Sequence, residues 1–108
     1  MPEDIIDAQV VLGVEATEVI GRCLSAWADG PFIDDWEFQT VTGLDRDEVR
    51  SVRDSWPMIT DVPLADHAVR AALGQLLGYP HGLSLEEHAG VSNAQVRAAR
   101  SAWCSTKF

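Results

Sequence analysis

The feature that most restricts the fold is a pattern written twice. Gly43 to Trp56 reads GLDRDEVRSVRDSW, and Gly90 to Trp103 reads GVSNAQVRAARSAW. Laid over each other, the two share Gly, Val, two Arg and Trp at matching places, with Leu44 against Val91 and Glu48 against Gln95. Two copies of one pattern in 108 residues imply two copies of one local structure. Each copy sets a turn-forming Gly before an apolar residue. Then comes a residue that caps helices, Asp45 or Ser92, with Glu48 or Gln95 three places on, the arrangement of a capping box. At 100° per residue, Val49, Val52 and Trp56 fall within an arc of roughly 60°, as do Val96, Ala99 and Trp103. Each copy is therefore expected to bury one helical face that ends on Trp. GVEATEV, from Gly13, begins in the same order, but the match fades after Val19 and Trp27 comes one place late.

The remaining chain also reads as helical. Ile6, Val10, Val14, Ile20, Leu24 and Trp27 are spaced compatibly with one stripe along an acidic segment at residues 1–30, weakened by Gly13 and Gly21, which leaves one long helix or two shorter ones. Asp29, Gly30 and Pro31 break it, and Phe32 to Trp36 reads as an irregular connection. A short helix from Phe38 to Thr42 then leads into the first copy, giving a unit at 36–56. Pro63 opens a connecting helix at 62–78, with an apolar face from Ala65 to Leu77. It stops at LLGYPHG, a corner that reads as a rigid stop setting the angle of the second unit at 83–103 or as an exposed recognition loop, and the first helix of that unit is capped by Ser84 and Glu87. AQVVLGV is the one β-branched run and has no counterpart elsewhere. The expected fold is all-α, a single compact domain of five to six helices.

Charge restricts the function. Lys and Arg number 8 against 17 Asp and Glu, which excludes a surface that attracts polyanions everywhere. Nine of the acids lie before Phe38 with Arg22 as the one base, so the first third carries a net of -8 and the remainder -1. Hydrophobic residues at 46%, four Trp among them, offset the ordering entropy of a folded core and exclude a disordered chain. There is no 18-residue apolar run, and the acidic start is unlike a signal peptide, so a cytoplasmic protein off the membrane is expected. Cys23 and Cys104 stand outside any CxxC spacing and read as reduced, small apolar residues. Seven Arg against one Lys and one Asn suggests a GC-rich, bacterial source.

A short helix, a Gly turn and a capped second helix with an apolar residue six places after the Gly resemble the helix-turn-helix unit. The resemblance covers about 22 residues in each copy. It implies a second helix able to lie in a DNA major groove. The small residue which that unit favours four places before the Gly is replaced by Gln39 and Glu86. In the first copy Arg46, Arg50 and Arg53 share a face with Asp45, Asp47 and Asp54 close by, a poor surface for phosphates. In the second, Ser92, Asn93, Arg97, Arg100 and Ser101 come without an acid and are the candidate DNA contacts.

Other chemistry has little support. His67, His81 and His88 lack the spacing of a zinc site, neither Cys has a flanking motif for a nucleophile, and no Gly-rich phosphate loop exists. No enzyme, metal or cofactor is expected. The leading expectation is a small helical regulatory or interaction protein that meets a protein partner, a basic one, through an acidic face of Glu3, Asp4, Asp7, Asp34 and Asp35. The rival is a DNA-binding regulator that uses the helix at 92–103, and a homodimer is compatible with either.

Overall fold

The computed structural model describes residues 5–30, 34–78 and 84–106, and of Asp35 the backbone alone. The fold is all-α. A two-residue strand, β1 (Ile6–Asp7), leads into α1 (Ala8–Leu12) and α2 (Val14–Asp29). Then follow α3 (Asp35–Thr42), α4 (Arg46–Ser55), β2 (Met58–Ile59), α5 (Val62–Gly78), α6 (Leu85–His88) and α7 (Asn93–Ser105). β1 and β2 pair antiparallel, Ile6 with Ile59. The longest contacts of α2 are with α4, α5 and α7, so it is the central post of the fold.

The post carries the core. Val19, Ile20, Cys23, Leu24, Ala26, Trp27 and Ala28 are all buried along it, and Leu73 and Val69 answer from α5. Trp27 stacks on Phe38 with ring centroids 5.4 Å apart, which fixes α3 against the C-terminal end of α2. Its indole N–H donates to Thr42 Oγ1 at 3.1 Å, so the polar edge of a fully buried ring is satisfied.

The two repeats build the same local structure. In the first, the Gly43 N–H donates to the Gln39 carbonyl at 2.9 Å and ends α3, and Gly43 then turns the chain with φ of 80°. That is the left-handed region, where a side chain is strained. Leu44 drops into the core, and the Asp45 carboxylate accepts the Glu48 N–H at 2.8 Å while Glu48 accepts the Asp45 N–H at 3.1 Å. In the second, Gly90 turns with φ of 72°, Val91 is buried, and Ser92 and Gln95 form the matching capping box at 3.1 and 2.8 Å. Both boxes satisfy N–H groups that a helix start leaves open.

The inner faces converge. Val49 and Val52 are buried from α4, and Val96, Ala99 and Trp103 from α7. Trp56 and Trp103, the matched ends of the two copies, meet with ring centroids 5.9 Å apart. Trp56 lies on α2 at Gly21, where an added Cβ would come within 3.1 Å of the ring, and donates to the Thr17 carbonyl at 2.9 Å. Trp103 donates to Asp66 of α5 at 2.8 Å. Each repeat is thus a clip that ends in an indole anchored on a different helix.

Several expectations are corrected. Of one long helix or two shorter ones the first segment forms two, and its stripe is not continuous: Gly13, with φ of 90° and ψ of 167°, ends α1 and starts α2 at once. Val10 and Val14 are left outside at 82% and 62% exposure. Because the helix begins directly at Val14, GVEATEV lacks the separate cap that follows Gly43 and Gly90. AQVVL, the one β-branched run, is the helix α1 in keeping with the helical reading of this segment, and the ribbon that does form is too short to leave a two-residue period in the sequence. α3 starts at Asp35, so part of the expected irregular connection is helix. Gln39 and Glu86 are exposed, so the place four residues before each Gly faces solvent instead of a helix contact. Cys104 is exposed, unlike the buried Cys23.

Candidate functional site

The arginines of the first copy are engaged within the molecule. Asp29 is the last residue of α2, a place where a carboxylate opposes the helix dipole. Three guanidinium groups of α4 gather there. Arg46 donates to the Ala28 carbonyl at 2.8 Å and lies 4.5 Å over the Phe38 ring. Arg50 pairs with Asp29 Oδ1 at 2.8 Å, and Arg53 reaches Asp29 Oδ2 while its Nε pairs with Asp54 at 2.8 Å. Hydrogen bonds from Arg50, then Arg53, hold the Asp29 carboxyl below the usual carboxylate range. The same bonds raise both arginines. This is a clamp between α2 and α4, and the open carbonyls at the end of α2 gain donors from it.

The second copy is arranged differently. Arg97 and Arg100 are exposed and make no hydrogen bond or ion pair with the described residues. Asn93 and Ser101 are exposed beside them, whereas the Ser92 hydroxyl is committed to its cap. Helical spacing puts Arg97, Arg100 and Cys104 on one flank of α7. There Arg70 of α5, itself paired with Asp66 at 2.8 Å, comes to 3.4 Å from the Cys104 sulfur. On α6, next to the start of α7, Glu86, Glu87 and His88 are exposed. Four of the five candidate DNA contacts are therefore on the surface, with acids close to the end of the helix that enters a groove in helix-turn-helix units.

The acidic face is divided. Glu3 and Asp4 lie outside the described residues, as does the side chain of Asp35. Asp7 caps α1, accepting the Gln9 N–H at 2.9 Å, next to the ribbon. Asp34 precedes α3, beyond the far end of α2.

What the sequence reading missed is apolar. Val10, Val11 and Val14 are 82%, 45% and 62% exposed, and Ile5 and Met58 join them at 56% and 42%. Asp7, Glu15 and Glu18 are close to these valines in the chain, Glu18 lines one groove with Val14, and Glu18 pairs with Arg22 at 3.1 Å. Val14 also edges an open groove of about 940 Å³ floored by α2 and walled by Trp56, Pro57 and His88. The signal in the sequence was Gly13, which sets the phase of α1 apart from that of α2.

Among the described residues no group of three or more His, Cys, Asp or Glu is placed to hold a metal. The ring of His67 sits at 2.8 Å from the Thr42 carbonyl, its Nε2–H donating. Burial pushes the Cys23 thiol up to about 12, so it stays protonated. The GYPHG corner, His81 included, falls on residues outside the described set. No described helix is long and apolar enough to cross a membrane. Protein-family models, characterised proteins and solved structures were all compared with the chain, and none matches.

Proposed function

We propose that this is a small non-enzymatic interaction protein of the cytoplasm that docks a protein partner on the face of its first segment. The observation that carries the reading is that Val10, Val11 and Val14, close together in the chain, all face solvent, with the acids Asp7, Glu15 and Glu18 near them in sequence. Three valines close together cost water contact unless something covers them, and contiguous exposed apolar surface marks interaction sites. The acids Asp7, Glu15 and Glu18 favour a partner segment that brings apolar side chains together with Lys or Arg, and repel an acidic one. The acidity of the first third speeds approach of such a partner at low salt. This reading moves the centre of the contact from the acids to the valines, with Asp7 the one described acid that belongs to both. The test is capture from a lysate by the immobilised chain. Val10→Asp with Val14→Asp is expected to release the specific partner, and added salt to weaken its retention. Capture unchanged by both would overturn the reading.

A second reading, DNA binding through α7, is favoured by one observation: Arg97 and Arg100 have no partner among the described residues. It is tested by anisotropy of a labelled duplex across a salt series. Each of Arg97→Ala and Arg100→Ala should lower the salt slope by about one unit. The absence of binding at low salt would remove this reading and leave the first intact.

A further inference from the structure

The outer face of α7 has opposite charges on its two flanks, none of them paired with the described residues. On the α2 side, Gln95 and Ala98 join Leu12, Glu15, Ala16 and Val19 around a shallow, largely apolar dent of about 260 Å³. Glu15 is exposed there and makes no hydrogen bond or ion pair with the described residues. On the α5 side stand Arg97 and Arg100, equally unpaired. Between the flanks, Ala94 and Ala98 are exposed and form a low crest along the helix.

We propose that two copies of this chain associate through this face, with their α7 helices side by side and parallel, and Glu15 of each copy against Arg97 and Arg100 of the other. The symmetry follows from the charges. A two-fold axis lying along the crest exchanges the flanks, so the acidic side of one copy meets the basic side of its mate. An axis across the helix would set Glu15 against Glu15 and arginine against arginine, which charge repulsion disfavours. Ala94 and Ala98 supply the apolar centre at the axis, Leu12 and Ala16 lie beside Glu15 on the flank, and the small crest lets the two helices approach closely.

Other occupants fit less well. A nucleic acid is repelled by Glu15 and by Glu86 and Glu87 at the start of α7, and a basic protein segment by the two arginines. A second copy answers both signs at once. The association shares Glu15 with the valine docking reading, but Val14 lines the groove beside Trp56 and Pro57 rather than the dent, so loss of partner capture and loss of self-association are read separately. It does compete with DNA for Arg97 and Arg100.

Sedimentation equilibrium of the full chain at high micromolar concentration tests this, with circular dichroism as the check on folding. The wild-type chain is expected at twice its 11.8 kDa mass, falling towards the single-chain mass as salt is added. Glu15→Arg, or Arg97→Glu with Arg100→Glu, should give single chains, and all three changes together should restore the pair. Ala98→Gln, which adds neutral bulk to the crest, should also dissociate it. A wild type that stays a single chain overturns the proposal, whether or not it binds a DNA duplex. So does a pair indifferent to the charge reversals, which would use another face, and so does a combined variant that folds yet does not reassociate.

Discussion

The unit of α3 and α4 and the unit of α6 and α7 share an inner design and differ outside. Val49 matches Val96, Val52 matches Ala99, Trp56 matches Trp103, and the two indoles touch. Both copies keep the glycine turn and the capping box. Outside, the matched arginines diverge: Arg50 and Arg53 hold the end of α2, whereas Arg97 and Arg100 hold nothing within the described residues. The lesson is that a repeated pattern fixes what is packed. What its solvent face does depends on which helix end happens to lie beside it.

The inner match can be broken most severely at the tryptophans. Trp103 is 1% exposed and its N–H is bonded to Asp66, so Trp103→Ala should cost about 3–5 kcal/mol in urea unfolding, and the half-buried Trp56 about half of that. Equal losses would mean that the copies contribute equally to the core. The turns come next. Gly43→Ala and Gly90→Ala each force a side chain into the left-handed region at about 1–2 kcal/mol. The loss should be larger at Gly43, where the new Cβ would lie 2.8 Å from the His67 ring that Thr42 holds. At Gly90 the obstacle is the guanidinium tip of the half-exposed Arg22, which is paired only on the surface with Glu18 and can swing away.

Removing the caps, Asp45→Ala and Ser92→Ala, should cost about 1 kcal/mol each. Asp45 should cost the more, because its charge also favours the start of α4. The smallest effect concerns the clamp. The folded carboxyl of Asp29 is lowered, so its pairing stabilises the protein at neutral pH and is lost as the pH falls below about 4. Its side chain is 47% exposed and screened, so Asp29→Asn should cost less than about 1 kcal/mol at pH 7. The variant should also lose that part of the acid sensitivity, and an unchanged acid limb would show that the clamp adds nothing.

Much of the scaffold could be read from the chain because its signals are local. A capping box, a glycine before it and three apolar residues within one arc involve residues next to one another, and all of these formed in both copies. The clamp on Asp29 was hidden because it joins residues far apart in sequence, although an acid at the last position of a helix was a hint that cations would come to it. The first segment misled for a different reason. Its apolar spacing continues through Gly13, but the backbone does not, so Val10 and Val14 fell in phase on paper and outside the core in space. The acidic set Glu3, Asp4, Asp7, Asp34 and Asp35 was grouped by composition, and composition has no geometry: Asp7 caps α1 and Asp34 precedes α3.

The contrast between the outer faces is the central claim, and matched double variants test it most directly. Arg50→Ala with Arg53→Ala and Arg97→Ala with Arg100→Ala remove the same two side chains from corresponding places. Urea midpoints should be compared at protein concentrations low enough for single chains. The first pair should lower the midpoint and the second leave it unchanged. An equal loss from both would contradict the account, because the arginines of α7 would then be holding the fold together as those of α4 do.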